Sequence, residues 1–178
     1  MTLVLLTGCI GEGPTQGELP IVERDVEAPF QTDSLSYGLR PALQGVPALV
    51  ARIGISFTNA TGDTIRVLER CQDGPRMILE REVEGGWLQA WESAGPACIG
   101  LYREVPPGSG YQDTVDFFGG LRGSDHWPQF ELDDLDGVYR LRWVEVVREF
   151  DPFAPVPQVE PIPERLRISN RFHLRMEP

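Results

Sequence analysis

The chain has 178 residues, 41% of them hydrophobic, enough for one domain with a real core and too many for wholesale disorder. A net charge of −11 argues against nucleic acid as a partner, since such a surface repels phosphate backbones, and against attachment to anionic lipid by charge alone. Nineteen glycines and sixteen prolines predict the many turns of an all-β fold.

The chain opens Met1-Thr2-Leu3-Val4-Leu5-Leu6-Thr7-Gly8-Cys9. The segment Leu6-Thr7-Gly8-Cys9 resembles the lipobox of bacterial lipoprotein signal peptides, with Leu three before the cysteine and small residues between. The resemblance implies cleavage before Cys9, diacylglyceryl attachment to its sulfur and acylation of its new amine. Each buried CH₂ contributes about 0.8 kcal/mol, so several acyl chains on one cysteine anchor a protein stably. No Arg or Lys precedes Cys9 and the apolar run is short, a departure from ordinary signal peptides. The alternative is a free cysteine in a frayed N-terminus. No apolar run reaches the roughly 20 residues of a spanning helix. Residues 10–33 carry Gly, Pro and acid without periodicity and read as a flexible tether, spanning about 25–30 Å.

The domain is expected over 34–178, where a period of two takes over. In Ala51–Thr58, Ala51, Ile53, Ile55 and Phe57 share one face, the pattern of a half-buried strand. Turn residues at 59–63 precede a strand over Thr64–Cys71, with Ile65 and Val67 inward. Met77–Val83 and Trp87–Trp91 flank a hairpin turn at Glu84-Gly85-Gly86. Further strands are predicted over Ile99–Val105, Tyr111–Phe118, Val138–Val147 (Tyr139, Leu141 and Trp143 on one face) and Leu166–Leu174. Asn170 falls in the inward phase of the last, either as a buried, hydrogen-bonded amide or at a bulge. No segment carries a sustained helical stripe. About eight short strands joined by Gly/Pro turns predict an all-β, antiparallel sandwich with an extended N-terminal tail.

Ile55-Ser56-Phe57-Thr58-Asn59, Glu84-Gly85-Gly86-Trp87, Val105-Pro106-Pro107-Gly108, Gly137-Val138-Tyr139-Arg140-Leu141 and Ser169-Asn170-Arg171-Phe172 follow in that order. The series resembles bacterial immunoglobulin-like domains of envelope proteins over roughly residues 50–175, and more distantly the β-sandwich proteinase inhibitors. The resemblance implies an immunoglobulin-like sandwich and no catalytic residues.

Cys71 and Cys98 form an even pair once Cys9 is lipidated, and an exported domain would oxidise them. The alternative is two buried thiols. The two histidines, His126 and His173, lie far apart in sequence and no Cys-x-x-Cys occurs, so no metal and no cofactor are expected. Asp133-Asp134-Leu135-Asp136 lacks calcium-loop spacing and reads as a solvated acidic turn. Adjacent Ser124, Asp125 and His126 point apart and cannot align as a triad. No enzyme is expected.

Two segments are candidates for binding a protein partner. Phe150–Pro163 holds five prolines, so it is stiff and extended, and Phe150, Phe153, Val156, Val159 and Ile162 make it apolar. Its side chains either meet a partner or fold back over the domain's own edge. Gly123–Phe130 carries Trp127 and Phe130, which either bind a partner or cap the sandwich. The sequence reading is therefore a non-enzymatic, lipid-anchored interaction or scaffolding subunit. It would belong to an envelope or membrane complex, on the periplasmic or extracytoplasmic face of a bacterial membrane. The alternative is a solitary ligand-binding or proteinase-inhibitor module.

Overall fold

A computed structural model of the chain describes residues 21–23, 27–43, 45–70, 74–93, 101–144, 146–150 and 159–177. In chain order the strands are β1 (Phe30–Thr32), β2 (Ser36–Pro41), β3 (Ala48–Thr58), β4 (Ile65–Arg70), β5 (Gly74–Pro75), β6 (Met77–Val83) and β7 (Gly86–Glu92). There follow β8 (Leu101–Val105), β9 (Gly110–Gly120), β10 (Gly137–Trp143), β11 (Val146–Phe150), β12 (Val159–Pro161) and, after a 3-10 turn at Glu164–Leu166, β13 (Phe172–Met176). The described chain is all-β, with thirteen strands where the alternation predicts about eight. The excess comes from β1, β5 and β12, pieces of two or three residues too short to alternate visibly, from β2, whose only buried position is Leu39, and from a break after Trp143 that divides one predicted strand into β10 and β11.

The long strand β3 organises the first sheet. One of its edges pairs with β9 from Ala48↔Gly120 to Thr58↔Gly110. The other is shared: β1 takes the C-terminal half (Phe30↔Phe57) and β2 the N-terminal half (Arg40↔Val50). β2 then continues onto β13, followed by β10, β6 and β7. The β2–β13 pairing is parallel, from Ser36↔His173 to Leu39↔Met176, which corrects the expected wholly antiparallel arrangement. Alternation reveals that a strand exists but carries no information about its neighbour. A second sheet holds β12, β11, β4 and β5, with β8 on the other edge of β4. The hairpin between β6 and β7 closes at Val83↔Gly86, with Gly85 at φ +88°, a conformation that suits glycine.

Because β1 and β2 pass from β3 to β13, the β9–β3 layer lies against the β10–β6–β7 layer. Ile53, Ile55 and Phe57 of β3 and Tyr139, Leu141 and Trp143 of β10 are all buried in the space between. The Trp143 ring centroid lies 5.4 Å from Phe30, 5.6 Å from Phe57 and 5.2 Å from Tyr111. These are separations at which aromatic pairs attract beyond their area. Phe30 is fully buried, which corrects the tether boundary of 10–33: the domain begins by residue 30. A strand of three residues shows too little periodicity to stand out from a Gly/Pro tail.

Asn170 is the buried amide of the two alternatives. Its Oδ1 accepts from Thr32 N at 2.7 Å, and its Nδ2 donates to Thr32 Oγ1 at 3.0 Å. It satisfies the first strand where no ladder partner reaches it. Tyr139 donates its hydroxyl to the carbonyl of Leu135 at 2.8 Å, closing the turn that enters β10. Burial pushes the Tyr139 phenol up to about 12, because the ionised form has lost its hydration.

A raised phenol favours folding while it stays neutral. That stability is complete below the unfolded value of about 10 and is lost as pH rises towards 12. Urea unfolding across pH 9–12 should therefore show wild-type stability falling over that window. The Tyr139→Phe variant should start about 1 kcal/mol lower, from the lost hydrogen bond, and fall less steeply.

Candidate functional site

The loop leaving β9 is fixed by backbone hydrogen bonds to both layers. Gly120 N donates to Pro128 O at 2.8 Å, Phe130 N donates to Gly120 O at 2.9 Å, and Glu131 N donates to Ala90 O on β7 at 2.8 Å. The loop thus closes the side of the sandwich between β9 and β7. Trp91 assists there: its indole N–H donates to Phe118 O at 3.1 Å and its ring lies 4.8 Å from Phe117. A side chain at Gly120 would meet Ser124 Oγ at 2.2 Å and His126 O at 2.4 Å, so the loop seats directly on a glycine. Gln129 braces the interior, donating to Ser124 O and accepting from Gly123 N.

This frame separates the two aromatic candidates. Phe130 is 0% exposed and belongs to the core, the capping alternative of the two the sequence leaves open. Its neighbours are set by its bond to Gly120, a contact the local sequence does not announce. Trp127 is 73% exposed. The acids that follow are partly paired rather than simply solvated. Asp133 meets Arg122 at 3.2 Å, Asp134 meets Arg81 at 3.0 Å, and Asp136 accepts from Met176 N at 2.6 Å. The hydrogen bond from Arg81 holds the Asp134 carboxyl below the usual carboxylate range. Among the described residues no three His, Cys, Asp or Glu side chains converge as metal ligands, and no helix is long and apolar enough to cross a membrane.

The Pro-rich arm begins in β11 and ends in β12, which pair antiparallel. Its base is anchored in the domain: Val146 is fully buried, Val147 and Ile162 nearly so, and Ile162 N donates to Val146 O at 3.1 Å. Ile162 is therefore core covering and not a partner contact. Its apolar character signals burial, which the phase of an isolated Pro-rich segment cannot distinguish from display. Phe150 and Val159 are Cα partners of the β11–β12 ladder, but their side chains lie outside the described residues. So do Phe153, Val156 and all three cysteines, Cys9, Cys71 and Cys98.

The loop and the base of the arm stand at opposite ends of the sandwich. The 121–130 loop sits where Gly120 pairs with Ala48. Val146, at the base of the arm, follows Trp143, at the end where Thr58 N donates to Pro29 O and the chain enters the fold. One arrangement was only half legible in sequence. Arg140 and Arg142 alternate outward from β10, but their partner is visible only with the β6–β10 register. Each donates its Nε to one oxygen of buried Glu80 at 2.7 Å, and Arg140 also lies 4.2 Å over the Trp87 ring.

No protein-family profile matches the chain, and no curated protein does. It is similar to a solved structure described as "X-ray structure of Northeast Structural Genomics Consortium target SoR45". The two are 15% identical, with 83% of this chain and 87% of that chain covered, at a TM-score of 0.40. A likeness that remote bears on neither fold nor function.

The opposite fates of the two loop aromatics are measurable. Phe130→Ala should cost about 3–5 kcal/mol in urea unfolding, the range for emptying an aromatic core site. Trp127→Ala should stay within about 0.5 kcal/mol of wild type, as exposed positions do.

Proposed function

We propose that this chain is a non-enzymatic, exported interaction domain of immunoglobulin-like topology. A lipid on Cys9 holds it to a bacterial membrane, and it serves as an accessory structural subunit of a larger envelope complex. The observation that carries the interaction role is the braced loop after β9. It buries Phe130 completely yet holds Trp127 in water. Rigid aromatic anchors on a fixed scaffold bind with little ordering cost.

The immunoglobulin-like reading draws support from the two facing layers and from Tyr139. Its hydroxyl bonds to the backbone four residues upstream at the start of a late strand, the geometry of the tyrosine corner in such domains. The tether reading draws support from direction. The chain enters at the Thr58 end of β3, and Trp127 stands beyond the Ala48 end, about 33 Å away along an eleven-residue strand. The attachment point and the loop then lie at opposite ends of the domain.

A bridge between Cys71 and Cys98 belongs to the same proposal. Glu69 and Leu101 are cross-strand partners on β4 and β8, and the cysteines stand two residues after the one and three before the other. A disulfide there would fit an oxidising compartment.

Gentle detergent extraction of native membranes tests the whole reading. Intact mass should give a chain that begins at Cys9 with added acyl mass. Thiol labelling of the denatured, unreduced chain should miss Cys71 and Cys98, and the domain should migrate with a companion protein. Unmodified Met1 together with ready labelling of either cysteine would remove the export reading. Migration as a lone monomer would remove the scaffolding role.

A further inference from the structure

Four large apolar side chains stay exposed around one end of β3 and β9. Trp127 is 73% exposed, Leu43 67%, Leu121 43% and Phe118 40%. They come from two loops and a strand that are bonded together. Leu121 N donates to Pro47 O at 3.2 Å, joining the β9–β10 loop to the β2–β3 turn that carries Leu43, where Val46 N donates to Leu43 O. Gly120, between Phe118 and Leu121, pairs with Ala48 and donates to the carbonyl of Pro128, next to Trp127. The four together leave a few hundred Å² of apolar surface in water, the size at which a monomer's largest patch is often functional. The backbone beneath them is braced, so their exposure is held by the fold.

Charge selects the occupant. Of the five acids in residues 121–136, Asp133 pairs with Arg122 and Asp134 with Arg81, which leaves Asp125, Glu131 and Asp136 without an ion pair among the described residues. The chain as a whole carries −11. An acidic rim repels anionic headgroups and a second copy of the same chain, and attracts a cationic polypeptide. We infer that this end of the sandwich is the docking surface for an apolar, Lys/Arg-flanked protein segment, with Trp127 as the central anchor. The inference rests on the interaction-domain reading above and adds to it the location and the chemistry of the partner.

The test uses the full chain in native membranes, with a photoreactive amino acid replacing Leu121. Mass spectrometry of the adduct should identify a peptide of a different protein with net positive charge. Adduct yield should fall at least tenfold in Trp127→Ser, which should melt as wild type does. It should also fall in the double variant Asp125→Lys, Glu131→Lys, and with rising salt. An adduct to a second copy of the chain, to phosphatidylglycerol in added vesicles, or to an acidic peptide overturns the inference. So does a yield indifferent to Trp127→Ser. If the wild-type chain leaves the membrane with a companion protein but position 121 captures none of it, the docking surface is wrong and the interaction reading stands. If the chain leaves alone, both fall.

Discussion

Trp143 holds contacts that no other described residue combines. Its ring meets Phe30 from the first strand, Phe57 from β3 and Tyr111 from β9, and its own strand β10 sits in the opposite layer. Aromatic rings bury large area and attract through edge and face geometry, so one such cluster contributes more than its area alone implies. The consequence is topological. β1 has only three residues of ladder on β3, too few to hold by backbone bonding. Phe30 under Trp143, with Thr32 bonded to Asn170, keeps it in place. Once β1 is held, β2 is delivered to β13 and the two layers are joined.

The sequence makes the half-buried strands plain. The face of Ala51, Ile53, Ile55 and Phe57, and that of Tyr139, Leu141 and Trp143, are both buried as the alternation implies. So are Ile65 and Val67. What stays hidden is everything decided by distant bonds. Trp127 and Phe130 are three residues apart in one loop, and nothing local separates them. A backbone bond between Phe130 and Gly120 turns one inward and leaves the other out. Ile162 looks like part of a display segment because its neighbours are prolines, yet its amide bonds to Val146 and its side chain is covered. The parallel strand pair is equally silent, since pleating has the same period whichever way the neighbour runs.

The outer face of β6 and β10 contrasts with the end that carries Trp127. Glu80, Arg140 and Arg142 satisfy one another, and Trp87 covers the Arg140 guanidinium. Polar groups already paired within the chain must be unpaired before they can serve a partner, and that costs more than a bond regained elsewhere supplies. Ile78 and Val138 on the same strands are nearly buried as well. A face so saturated offers a neighbour little. The end carrying Trp127 has apolar groups with no such commitment.

The way β1 and β2 are laid into the fold also fixes how the domain would bear load. Both strands run from the entry end towards the Trp127 end, β1 beside β3 and β2 beside β13. A pull on the residues before Phe30, opposed by a grip on the far end, acts along the axes of these strands. Their ladder bonds are then sheared together rather than opened one at a time like a zipper. Rupture in that direction requires the β1–β3 bonds and the Thr32–Asn170 bonds to give way nearly at once, before the load passes on to β2. The same chain pulled sideways at β7, an edge strand joined by its ladder to β6, would peel residue by residue. The domain is therefore mechanically anisotropic, stiffest along the line between Phe30 and its exposed tryptophan.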